Sequence, residues 1–158
     1  MTAAAAGNAS FTAAFTVDQT PEEVFRAISN VRGWWSEDIE GDPDKAGGEF
    51  TYRYKDTHRC RIKVTELVPG ERIAWHVLDS YFDFTQDKTE WKDTGIRFDI
   101  TARDGKTEIR FVHVGLVPGC ECFDVCSNSW DFYLNTSLRA LIRTGRGLPN
   151  RISRRKYQ

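Results

Sequence analysis

The chain has 158 residues, close to one domain at roughly 150 residues per domain, and its 40% hydrophobic and 28% charged content is that of a globular protein, not of a disordered chain or a coiled coil. Twenty-two Lys and Arg against 23 Asp and Glu give a net charge of -1, which excludes a chain that is basic throughout, as a dedicated nucleic-acid binder is. No run approaches 18 consecutive apolar residues and the start Met1-Thr2-Ala3-Ala4 lacks a basic region before an apolar one, so neither a membrane span nor a signal peptide is predicted and a cytoplasmic location is expected.

Residues 1 to 9 are Ala-rich and are expected to form a loose terminus. Phe11, Ala13, Phe15 and Val17 alternate with Thr12, Ala14 and Thr16, the period of a strand with one apolar face. Thr20-Pro21-Glu22-Glu23 is a helix start: Thr20 caps, Pro21 suits the first helical position, and Glu23 returns a bond to the Thr20 amide. The apolar stripe of this helix is Val24, Ile28 and Val31, and its end is expected near Gly33.

From Gly47 to Leu116 strands follow one another, divided by Asp56-Thr57, Pro69-Gly70, a longer loop near Asp79 to Asp93, and Asp104-Gly105. Phe50, Tyr52 and Tyr54 share a face of the first, and Cys60, Ile62 and Val64 a face of the second. Ile73, Trp75 and Val77 mark the third, Ile96, Phe98 and Ile100 the fourth, and Ile109, Phe111 and His113 the fifth. Short turns between such strands give antiparallel pairing with one face inward.

After Pro118-Gly119 the apolar residues recur at three- and four-residue steps: Phe123, Cys126, Trp130, Tyr133 with Leu134, Ser137 with Leu138, Leu141 with Ile142. The spacing predicts a helix of about 20 residues, roughly 30 Å long, ended by Gly145. It is long enough to cross the sheet, and the whole forms an α+β layout: a curved antiparallel meander whose apolar face the long C-terminal helix covers, one domain over residues 10 to 150 with loose ends at 1 to 9 and 151 to 158. Seven Lys and Arg and no acid fall between Arg139 and Gln158, a tail expected to be a solvated extension without a nucleic-acid partner.

The order strand, helix, Gly33-Trp34-Trp35-Ser36, Gly47-Gly48-Glu49-Phe50, and a terminal helix with Trp130 that closes in Thr144-Gly145-Arg146-Gly147-Leu148-Pro149 resembles the standalone bacterial proteins related to the C-terminal domain of the activator of the Hsp90 ATPase. Asp87-Lys88-Thr89-Glu90-Trp91 and His113-Val114-Gly115-Leu116-Val117-Pro118 with Glu121-Cys122 are similar to one subgroup of them. These proteins belong to the START-like, Bet v 1-like helix-grip superfamily. The resemblance implies a curved antiparallel sheet wrapped around the long C-terminal helix, with a cavity between them that accepts an apolar or amphipathic small molecule, without a cofactor. The eukaryotic activator also has a separate N-terminal domain for which 158 residues leave no room, so Hsp90 stimulation is not expected, and a monomer or weak homodimer is.

On that expectation the wall of the cavity is formed by Trp35, Phe50, Tyr52, Tyr54, Trp75, Phe98, His113, Cys126, Trp130 and Tyr133. The tyrosines suit a pocket because a buried hydroxyl wants a partner that a ligand can supply. His113 falls on the inward face with Ile109 and Phe111, where it either bonds a neighbour or orients a ligand or serves as acid or base, whereas His76 faces the other way and His58, beside a turn, is expected to be exposed. An enzyme of cyclase or hydrolase type in the same cavity, and a chaperone-linked interaction module, are the alternatives. Cys120, Cys122 and Cys126 offer three thiols with His113 as a fourth group, but no C-x-x-C closes a zinc site, so no metal is expected; reactivity, if any, falls to Cys120 or Cys122, since a helix N-terminus lowers a thiol pKa.

Overall fold

The computed structural model describes residues 9–150, and the loose ends and the last four basic residues of the tail expected from the sequence lie outside the described residues or at their edge. Strand β1 (Phe11–Val17) leads to α1 (Pro21–Ser29) and a short α2 (Val31–Trp34). Then come β2 (Ile39–Gly41), β3 (Glu49–Tyr54), β4 (His58–Val68), β5 (Arg72–Phe82), β6 (Gly95–Arg103) and β7 (Lys106–Val114). The terminal helix runs as α3 (Phe123–Asp131), a π-helical segment (Phe132–Leu138) and α4 (Arg139–Thr144).

The sheet order is β1-β7-β6-β5-β4-β3-β2, antiparallel throughout. β2 to β7 are therefore a meander, and β1 closes its far edge by pairing Phe11 with His113 and Val17 with Thr107. One face is apolar and carries α1, α2 and the terminal helix; the other shows Arg, Asp and Glu to water, with ion pairs such as Arg72 to Asp99 at 3.1 Å.

The local signals explain the elements. Thr20 and Glu23 form the capping box, each side chain bonding the other's backbone amide, with Pro21 at the first turn. The helix ends at Asn30, earlier than the stripe suggests: the Asn30 amide still bonds the carbonyls of Arg26 and Ala27, but its ψ of 68° takes the backbone out of the helical region, and Val31 to Trp34 then make a separate turn. The short edge strand β2 has no alternating pattern of its own, and it exists because it pairs with β3, Ile39 opposite Tyr52.

β5 runs five residues past Val77, into what reads as a loop. Its register against β4 slips between Arg61 and Ile62, where Ile62 faces Val77 while Arg61 faces Asp79, so Leu78 is an extra residue. An extra residue reverses the phase of alternation. Ile73, Trp75 and Val77 point inward before it, and Ser80 and Phe82 after it.

Candidate ligand-binding site

Between the β3–β4–β5 end of the sheet and the first half of the terminal helix lies a cavity of about 400 Å³. Nine of its fifteen lining residues are Phe, Tyr or Trp, and none is Asp, Glu, Lys or Arg. Toward β6 and β7 the apolar face is packed by rings, Phe98 against Phe111 at 5.1 Å and Phe111 against Trp130 at 4.7 Å. At the mouth stand Phe84, Val125 and Phe132, which are 46%, 54% and 42% exposed, large apolar side chains facing water at the rim of an apolar hollow.

Trp35 is the floor. Its ring stacks on Tyr52 at 4.0 Å and on Trp75 at 5.9 Å, and Trp130 lies 5.0 Å away. The segment that carries it is pinned from both sides. Ser137 Oγ donates to the Trp34 carbonyl at 2.7 Å and itself accepts from the Leu148 amide at 2.7 Å. The Trp35 carbonyl accepts from the Asn150 backbone and side-chain amides, and Ser36 Oγ donates to Asn150 Oδ1 at 2.9 Å. Gly147 makes this closure possible, since a Cβ there would stand 2.3 Å from the Gly33 carbonyl oxygen. The Trp34-Trp35-Ser36 and Gly145–Asn150 motifs are thus two halves of one clamp.

The loop between β5 and β6 supplies Phe84 and Trp91. Cys122, at the start of α3, makes no side-chain cap, and the Glu90 carboxylate takes that place by accepting from the Glu121 and Cys122 amides at 2.6 and 2.9 Å. Glu121 answers by accepting from the Gln86 and Asp87 amides, bonds that hold its carboxyl below the usual range. The reciprocal pair ties loop to helix and sets Trp91 against Trp130, 5.8 Å apart and parallel to within 6°.

His58 is buried, contrary to the expectation from its turn, because it pairs with Tyr54 at the start of β4 and continues the inward face of Cys60, Ile62 and Val64. Its ring stacks on Phe82 at 4.1 Å and meets Trp91 edge-on at 4.5 Å. Burial, helped by His113, pushes its pKa down to about 3, so the ring on the wall is neutral. Its Nε2, like Trp91 Nε1, is buried without a hydrogen-bond partner among the described residues. Burial raises the Tyr52 hydroxyl well above its ordinary range, and that of Tyr133 more mildly, so both stay protonated donors.

Of the residues singled out in the sequence, Trp35, Tyr52, Tyr54, Cys126, Trp130 and Tyr133 line the cavity. Phe50, Trp75, Phe98 and His113 do not. Trp35 covers Trp75 and, behind it, Phe50 and Phe98 at 5.3 Å from the Trp75 ring. His113 is enclosed by Trp91 and Trp130 and fully bonded: Trp130 Nε1–H donates to its Nδ1 at 3.1 Å and Thr94 Oγ1 lies 2.8 Å from its Nε2. Thr94 gives its own hydrogen to the Trp91 carbonyl at 2.6 Å, which leaves Nε2 as the donor and fixes the tautomer. Both ring nitrogens of His113 are thus engaged, and burial lowers its pKa to about 3, so the ring is neutral and held inside the packing. Ser137, on the same helical stripe, faces Trp34 and not the cavity.

Phe82 escapes sequence reading because the bulge at Leu78 reverses its phase, and Trp91 because a loop has no period. His58 had a signal, the alternation of Cys60, Ile62 and Val64 extended one step back. The helix start does not lower the thiols of Cys120 and Cys122. A hydrogen bond with the free thiol of Cys126, burial and the nearby Glu90 all raise the pKa of Cys122; Cys120, whose Sγ donates to the Gly115 carbonyl, is raised by burial too. Among the described residues no group of three or more His, Cys, Asp or Glu is placed to hold a metal ion, and no helix is long and apolar enough to cross a membrane.

Comparison with curated proteins gives no significant match. Among solved structures, the Aha1 dimer from Colwellia psychrerythraea superposes with a TM-score of 0.70 at 22% identity, over 87% of this chain and 98% of that one. Protein MLL2253 from Mesorhizobium loti follows with a TM-score of 0.64 at 17% identity, over 85% and 98% of the two chains. CalU16 from Micromonospora echinospora has a TM-score of 0.63 at 16% identity, over 89% and 77%. At these identities the likeness is one of fold, the helix-grip arrangement of sheet and terminal helix. The sequence itself matches, over residues 18–143, the family described as Activator of Hsp90 ATPase homolog 1-like protein, and the chain belongs to that family.

Proposed function

We propose that this protein binds an apolar or amphipathic small molecule in the cavity between sheet and terminal helix and does not transform it. The observation that carries the reading is an aromatic-walled space of about 400 Å³ whose mouth is rimmed by exposed Phe84, Val125 and Phe132. Small-molecule sites span about 300 to 1,000 Å³ and are mostly apolar with a few polar groups; here those are Thr57, Asn128, Ser129 and the tyrosine hydroxyls. Catalysis is disfavoured by the same wall. A general acid or base works best with a pKa near the operating pH, and on the wall His58 is lowered to about 3 while Tyr52 and Tyr133 are shifted upward.

The test uses N-phenyl-1-naphthylamine, an uncharged apolar fluorophore. It should brighten on binding and raise the melting temperature, since a ligand held only by the folded state stabilises it by about 2.7 kcal/mol at a hundredfold excess over Kd. Ser129→Trp, at an exposed position on the cavity wall, should cut binding by at least about tenfold while the free protein melts as before. Binding that ignores this substitution would place the probe elsewhere and refute the proposal.

A further inference from the structure

The lining defines its occupant more narrowly than "apolar". Resting on the binding role proposed above, we infer that the natural ligand is a small uncharged aromatic compound, of about two or three rings, held by ring contacts and by neutral hydroxyl and amide groups, and not an acyl chain or an anionic metabolite.

Three observations converge on this class. First, no formal charge stands on the wall, and the one histidine there is neutral. A carboxylate or phosphate drawn inside would lose its water without meeting a cation, which binding sites for anions avoid by placing Arg, Lys or a set of backbone amides around the group. Second, the wall presents ring faces and edges in several orientations. Trp91 and Trp130 lie parallel, Trp35 lies on Tyr52, and His58 is stacked on Phe82 but perpendicular to Trp91. A planar π-system entering among them gains stacked and edge-to-face contacts, each contributing a factor of roughly 2 to 10 in Kd beyond the area buried, and an alkyl chain gains none of these. Third, the polar groups are a neutral set: the hydroxyls of Tyr52, Tyr54 and Ser129 and the amide of Asn128. They fit phenol, ketone or ether oxygens. The volume, near the lower end for ligand sites, sets the limit of a few rings.

The experiment is calorimetric titration at neutral pH with three probes of similar bulk: 2-naphthol, 2-naphthoate and decanol. Naphthol is expected to bind at least about tenfold tighter than either of the others. The double substitution Phe84→Leu with Phe132→Leu, confined to exposed rim positions, should weaken naphthol by a factor of roughly 5 and leave decanol within about twofold. If decanol or naphthoate binds within about threefold of naphthol, the aromatic, uncharged class is wrong while the cavity still binds. If none of the three binds, the binding role itself falls, and this inference with it.

Discussion

Mild acid should destabilise this domain well before its carboxylates titrate, because two histidines are held neutral in the interior. His58 and His113 have pKa values lowered from 6.5 to about 3, chiefly by burial. The unfolded chain takes up a proton on each near pH 6.5, and the folded chain does so only near pH 3, so in between the unfolded state binds up to two more protons and stability rises with pH. The slope approaches about 1.4 kcal/mol per pH unit for each ring. Integrated from pH 8 to pH 5, above the range of ordinary carboxylates, the loss on acidification is roughly 2 kcal/mol per histidine and about 4 kcal/mol for the pair. That is a large part of the 5 to 15 kcal/mol typical of a domain. Urea unfolding at pH 8, 6.5 and 5 at constant ionic strength measures it directly. His58→Gln should remove about half of the pH dependence. His76→Gln is the control, since His76 lies on the outer face beside Asp93 at 3.2 Å, and the slope should survive it. Equal stability at pH 8 and pH 5 in the unsubstituted protein would mean that both rings are open to protons in solution, and the burial argument would be wrong.

Other consequences are as direct. Ser137→Ala should cost roughly 1 to 3 kcal/mol in a denaturant titration, because it strips the partner from the buried Trp34 carbonyl and from the part-buried Leu148 amide; a loss below about 0.5 kcal/mol would show the clamp on Trp35 to be dispensable. Glu90→Ala removes the acceptor for two amides at the start of α3 and should cost about 1 to 2 kcal/mol, with faster amide exchange over residues 84–91 as the specific sign of a released loop. In the folded protein a disulfide reagent at pH 8 should reach Cys120 alone and slowly, since Cys60, Cys122 and Cys126 are buried. Rapid modification of Cys122 would contradict its raised pKa.

The architecture was legible in the sequence to the extent that it depends on period and capping. Thr20 and Glu23, five of the seven-strand sheet's alternating runs after α1, and the long terminal stripe each rest on interactions within a few residues, and the folded chain keeps them. The candidate site was legible where it lies on those regular faces, as with Tyr52, Tyr54 and Trp130, and at Trp35, which the Gly33-Trp34-Trp35-Ser36 motif marked. What was missed depends on tertiary events: a one-residue bulge that turns Phe82 inward, a carboxylate that fixes the loop bearing Trp91, and a Trp35 ring that seals Trp75 and Phe98 from the cavity. His113 illustrates the ambiguity at a single residue. Alternation places it inside, but only its neighbours Thr94 and Trp130 decide that both ring nitrogens are already taken.

The π-helical segment follows from a spacing that alternation arguments overlook. Cys122, Cys126, Trp130, Leu134, Leu138 and Ile142 are all buried, and each stands four residues after the one before. In an α-helix of 3.6 residues per turn, four residues overshoot a full turn by about 40°, so five such steps would carry the stripe about 200° around the axis and leave Ile142 opposite Cys122. Bonding from i to i+5 across Phe132–Leu138 puts more residues in each turn, so a four-residue step there falls short of a turn and takes back part of the drift. The two halves of the helix can then serve different ends of one sheet. The first half, up to Tyr133, roofs the cavity, and the second half, from Leu134, packs on α1, α2 and β1. The change of helical geometry begins at Phe132 and Tyr133, the last cavity-lining residues of the chain, so the irregularity in the backbone coincides with the point where the roof of the cavity becomes the core of the domain.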